Sequence, residues 1–145
     1  MNDALILQED HTRNVVNVFE FWKKVLNHPR SHLDAQRNFD ISKWLQLGYT
    51  VEDLCLAIYG CSKSSWHMGL NPKTGGQKFT LIRHVFETAD KIDYFIETAL
   101  EDMQKNLDKQ KSDELRYEMD SQHVSKTFTP VEWAALMAEI HARIS

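Results

Sequence analysis

Trp66 and His67 sit side by side in a stretch, Gly60 to Phe79, that holds four of the chain's five glycines. Lys63, Lys73, Lys78 and Arg83 surround them, and no Asp or Glu occurs between Asp53 and Glu87. An indole that stacks on bases and cations that seek phosphate are the two ingredients of sequence-tolerant single-strand binding. In a chain of net charge −4 this acid-free stretch is the sharpest local asymmetry of charge. The same residues also have a purely architectural use, in which Trp66 and Met68 plug the loop onto the core and the lysines face water. Both uses agree that Gly60 to Phe79 is a long loop in a chain that otherwise reads as helix.

Other chemistries fit the residues less well. Gly69-Leu70-Asn71-Pro72-Lys73-Thr74-Gly75-Gly76 has the letters of a phosphate-binding loop, but the Lys-Thr pair precedes the glycines and a helix, not a strand, comes before. His28 and His32 are four apart, the spacing of two metal ligands on one helix, yet Pro29 breaks that helix. Cys55, Cys61 and His67 match no zinc-knuckle spacing. Ser62, Ser64 and Ser65 flank Lys63 without a nucleophile elbow or a Ser-x-x-Lys arrangement. Asp90 with Asp93, and Asp113 with Glu114, read as solvated helix faces. No catalytic residue, metal or cofactor is expected.

The elements that must position the loop follow from apolar spacing. Val15, Val18, Phe19, Trp22, Val25 and Leu26 recur at three and four, which predicts a helix from Thr12 to the His28-Pro29 break. A second helix is expected over Leu33–Leu47, with Asp34 near its start and Gly48 as a left-handed cap. Thr50 caps a third, whose inward face is Val51, Leu54, Cys55 and Ile58. Together these two resemble a helix-turn-helix in outline, but no Lys or Arg lies between Val51 and Gly60, and major-groove entry needs them. Beyond the loop a stripe runs from Ile82 to Leu107, as one long helix or two that abut at Thr88–Asp90. Residues 101–127 are charged, as in a helix extension or linker. Thr129-Pro130-Val131-Glu132 then opens a helix with the apolar stripe Trp133, Leu136, Met137, Ile140 and Ile144. That helix either folds back on the core or docks in a partner's groove.

At 145 residues the chain is one domain's worth, able to bury roughly two thirds of its unfolded surface. With 42% hydrophobic and 26% charged residues it is neither disordered nor fibrous. No apolar run is long enough to span a bilayer, and residues 1–10 carry acids where a signal peptide needs bases, so a cytoplasmic protein without a membrane partner is expected. Cys55 and Cys61 are expected as small buried hydrophobes. The fold class is all-α, a compact bundle of about five to six helices. Residues 1–11 form an arm, 12–100 the helical domain, 101–127 the charged segment and 128–145 the amphipathic C-terminal helix. Phe21, read as an outer position of the first helix, offers a surface for self-association into a homo-oligomer.

The series Val18-Phe19-Glu20-Phe21-Trp22-Lys23-Lys24-Val25-Leu26-Asn27-His28-Pro29-Arg30, then Leu33-Asp34, then Leu47-Gly48-Tyr49-Thr50-Val51-Glu52-Asp53-Leu54, resembles the C-terminal domain of phage and prophage replication proteins. Ala57-Ile58-Tyr59-Gly60-Cys61, Trp66-His67-Met68-Gly69 and Lys91-Ile92-Asp93-Tyr94-Phe95-Ile96 continue it in the same order. More distantly the chain is similar to the DnaD-type primosomal domain. The resemblance covers about Val15 to Ala99 and implies a helical, non-enzymatic adaptor that binds DNA and brings the host's replicative helicase to it. Such proteins usually carry an N-terminal winged helix, for which this chain starts too close to the shared domain, so origin recognition is not implied. On this reading Lys63, Trp66, His67, Lys73, Lys78 and Arg83 contact DNA, more readily single-stranded. Trp133, Leu136, Met137 and Ile140 anchor the helicase. An inhibitor of the helicase or its loader, or a regulatory DNA-binding protein without helicase contact, would use the same surfaces.

Overall fold

A computed structural model describes residues 3–113 and 128–142. Among them helix is the only repetitive secondary structure, in six segments: α1 (Asp3–Val25), α2 (Ala35–Gln46), α3 (Val51–Ser62), α4 (Ile82–Val85), α5 (Ala89–Asp113) and α6 (Pro130–Ala142). The all-α expectation holds. The helix predicted from Thr12 starts at Asp3, because no Gly or Pro interrupts residues 3–28. It closes where Asn27 turns left-handed and the His28 N–H reaches back to the Lys23 carbonyl at 2.8 Å, ahead of Pro29.

Local caps set α2 and α3. Asp34 accepts from the Arg37 amide at 2.8 Å, so α2 opens just after Leu33 rather than on it. Gly48, at φ +111, ends α2 with its own N–H on Leu45 and that of Tyr49 on Trp44. Thr50 and Asp53 then form a reciprocal capping box.

α3 is the axis of the fold. It packs chiefly on α5 and next on α1, and Val51, Leu54, Cys55, Ala57, Ile58, Tyr59, Gly60 and Cys61 are all buried. A helix apolar nearly all round belongs inside, which is why it carries no Lys or Arg. Gly60, expected as the first residue of the loop, lies within this helix: a Cβ there would stand 1.8 Å from the Phe95 carbonyl oxygen of α5. Its role is close helix approach. The stripe beyond the loop divides into two helices, α4 and α5, where Thr88 caps α5 by accepting from the Lys91 amide at 3.1 Å. Ile92, Phe95, Ala99 and Met103 face the core, whereas Leu100 turns out to solvent.

The C-terminal helix folds back. Trp133, Met137 and Ile140 are buried and Leu136 packs on the core cluster, so the four residues expected as helicase anchors form an internal seam rather than a free surface. Trp133 meets Phe21 edge-on at 5.6 Å, Phe128 edge-on at 5.5 Å and Tyr59 at 5.6 Å. Phe21, expected outside and available for self-association, is therefore covered by α6. Beneath this cluster the Tyr59 hydroxyl donates to Asp102 and accepts from the Phe128 amide at 3.1 Å. Asn106 donates to both Asp102 and the Phe128 carbonyl at 3.0 Å. Burial and then the Asp102 bond push the Tyr59 phenol well up, so it stays a donor. Ile144 and most of the charged segment, residues 114–127, lie outside the described residues.

Candidate nucleic-acid interface

The loop between α3 and α4 is built from turns closed on themselves. Asn71 accepts from the Lys73 amide at 3.0 Å, a single 3-10 turn spans Pro72–Thr74, and Gly75 ends it at φ +63. The segment that carries the letters of a phosphate loop is this turn, and its glycines serve the backbone. At the waist Gly69, at φ +72, lets the two arms cross, since a Cβ would meet the Gly76 carbonyl at 2.7 Å.

The far arm is pinned by long-range bonds. The Phe79 amide donates to the His67 carbonyl at 2.7 Å, and the buried Trp22 indole donates to the Thr80 carbonyl at 2.8 Å. His28, stacked on Trp22 at 4.4 Å, places Nε2 3.0 Å from the Thr80 hydroxyl. The Trp44 indole donates to the Phe86 carbonyl at 2.9 Å. Two helices thus use their largest side chains to fix where the loop returns. A site held this way costs less ordering on binding than a free loop does.

On this frame Trp66 is 44% exposed and lies parallel to Phe79, with interplanar angle 9° and centroids 6.5 Å apart. Phe79 also meets the edges of His67 and His84, at 6.4 and 5.6 Å. The result is a ring cluster with one open indole. Met68 does pack on the core, as the architectural reading has it, but Trp66 does not follow it inside.

The six sequence-selected residues do not form one cluster. Trp66 and His67 share the ring platform. Lys73 is exposed on the 3-10 turn. Lys78, also exposed, lies near enough to His28 to lower its proton affinity. Arg83 lines a cleft of about 480 Å³ that also holds Asp34, Arg37 and Asp40. Lys63 caps the end of α3 and sits 5.3 Å from the centre of the Tyr59 ring, so it belongs to the α6 side. Phe79, His84 and Lys91 were missed. Phe79 and His84 complete the platform, and Lys91 is the cation nearest in effect to His67. An aromatic and a His-Arg pair at the loop's exit were the only local signals for them.

Three imidazoles here are held below the ordinary histidine value, in each case first by burial. Arg37 and Lys78 add to this at His28, Lys91 and His84 at His67, and Arg83 and Lys91 at His84. Burial pushes the Cys61 thiol up to about 12 and Cys55 higher still, so neither offers a thiolate. His32 is exposed. Among the described residues no three His, Cys, Asp or Glu side chains gather as a metal site, and no helix is long and apolar enough to cross a membrane.

No family model, curated protein or solved structure matches the chain.

Proposed function

We propose that this chain is a non-enzymatic replication-initiation module of the kind it resembles, binding single-stranded DNA over the loop surface. The observation that carries the reading is the open Trp66 face, parallel to Phe79, in a loop that has no acid and also exposes Lys73 and Lys78. Stacking on such an indole is worth about 1–3 kcal/mol per base and tolerates any base. The acidic start and buried axis of α3 oppose duplex reading by that helix. Binding of a labelled oligonucleotide by the full chain, repeated as a duplex and at rising salt, tests the reading. Single-strand preference with a steep salt dependence supports it. Equal affinity for duplex, or none for either, overturns it.

Recruitment of the replicative helicase is the second part of the proposal and rests on the resemblance. With the inner stripe of α6 in the core, the partner would meet its outer side, where Val131, Ala134, Ala135 and Ala138 are exposed. Removing residues 128–145 would uncover the core, so the sharper test is Ala138→Arg in a mixture with the host's helicase, read by size exclusion with light scattering. Loss of a complex places the contact on α6. No complex with the unsubstituted chain leaves the narrower reading, a DNA-binding protein without helicase contact, which burial of Trp133 and Met137 favours. An unwinding assay separates loading from inhibition.

A further inference from the structure

Three buried or half-buried imidazoles meet the loop, and their hydrogen bonds are not alike. His84 accepts the Leu81 amide on Nδ1 at 3.3 Å, and an amide cannot reverse its direction, so a proton on that nitrogen breaks the bond. His28 and His67 are bonded to hydroxyls instead. Nε2 of His28 is 3.0 Å from Thr80 Oγ1, and Nδ1 of His67 is 2.7 Å from Ser64 Oγ. A hydroxyl either donates to a neutral imidazole or, after rotating, accepts from a charged one. Ser64 Oγ already accepts the backbone amide of His67 at 3.3 Å. Both imidazoles can therefore take a proton from solvent without losing their partner.

What opposes that proton is the surrounding charge and burial. His28 lies on Trp22 of α1, and burial outweighs the Thr80 backbone bond that favours its proton; it also feels Lys78 of the loop and Arg37 of α2, the latter paired with Asp34 at 3.3 Å. His67 lies edge-on to Phe95 of α5 at 4.9 Å and feels Lys91 of α5 and His84 of α4. The one acid acting on His67 is Glu87, which is paired with Lys91 at 3.1 Å. A polyanion at either group would neutralise the cations and reward protonation. We propose that His28, with Lys78 and Arg37, and His67, with Lys91, are two proton-linked phosphate contacts, so that the chain takes up protons as it binds single-stranded DNA. This rests on the loop being the DNA surface, and adds to it two contacts and a dependence on pH.

The test is binding of a labelled oligothymidylate to the full chain at constant ionic strength, from about pH 8 to about pH 6, spanning the ordinary imidazole value. Affinity should rise on acidification, by up to about tenfold per pH unit for each proton taken up. His28→Gln and His67→Gln should each remove part of the rise. Calorimetry of the unsubstituted chain in two buffers of different ionisation enthalpy should register proton uptake, a readout that needs no variant to fold. A flat or falling profile, a rise unchanged in both variants, or zero uptake overturns the inference while binding itself upholds the DNA reading. No binding at any pH overturns the two together.

Discussion

Trp66 and Trp133 look alike in the sequence, each an aromatic in a segment well suited to making contacts. In the fold they part company. Trp133 is 7% exposed, ringed by Phe21, Tyr59 and Phe128, and set above a polar network that ties Phe128 to α3 and α5. Trp66 is 44% exposed, with a single parallel ring, Phe79, for company, and that ring in turn meets the edges of His67 and His84. The C-terminal side of the molecule spends its aromatics on cohesion, whereas the loop side leaves one outside. Amphipathic spacing marks a face that must be covered and is silent on whether the cover is the same chain.

The contrast has measurable consequences. Trp133→Ala should destabilise the fold by about 3–5 kcal/mol, the usual range for a buried tryptophan, read by chemical denaturation. It should leave no special defect in DNA binding at temperatures where the protein is folded. A loss under about 1 kcal/mol would make the α6 seam a loose one and restore it as a docking surface. Trp66→Ala should do the reverse: near-native stability, with about 1–3 kcal/mol lost from single-strand affinity. Unchanged affinity would return Trp66 to an architectural role.

Lys73→Glu and Lys78→Glu bear on the charge half of the loop. Each should weaken binding at low salt and reduce the slope of log affinity against log salt by roughly 0.7 for a lost single-strand phosphate contact. Lys63→Glu is the control, because its ammonium already sits over Tyr59 and should matter less.

The smallest effect is in stability against pH. His28, His67 and His84 are held below the ordinary imidazole value, first by burial, while in the unfolded chain each titrates at about 6.5. The unfolded state then binds more protons as pH falls, so the stability present above that value is lost on acidification. Thermal melts on either side of it should show the decline, and bound oligothymidylate should offset it. Because His28 is one of the three groups lowered by burial, His28→Gln should shrink the decline.

Much of the architecture was legible because it is written locally. Thr50 with Asp53, Asp34 and Gly48 fix the ends of α2 and α3 through bonds that span only a few residues. Gly60 was misread because a glycine near the end of an apolar run looks like a breaker, and its true reason, the Phe95 carbonyl, lies 35 residues on. Phe21 was misplaced for the same cause, since it falls off the stripe of α1 and its cover comes from α6. The loop's position and charge were plain, but the ring platform was not. Phe79 and His84 join it only because Trp22, His28 and Trp44 fix the path of residues 80–86.

Of the four indoles, Trp22, Trp44 and Trp133 are inside and Trp66 alone is open to water. The chain therefore carries its own optical probe. A soluble quencher such as iodide should reach a single emitter in the native state, and its protection by added DNA would report on the loop alone. The red shift of the other three would follow global unfolding in the same sample, so occupancy and integrity can be read together without a label.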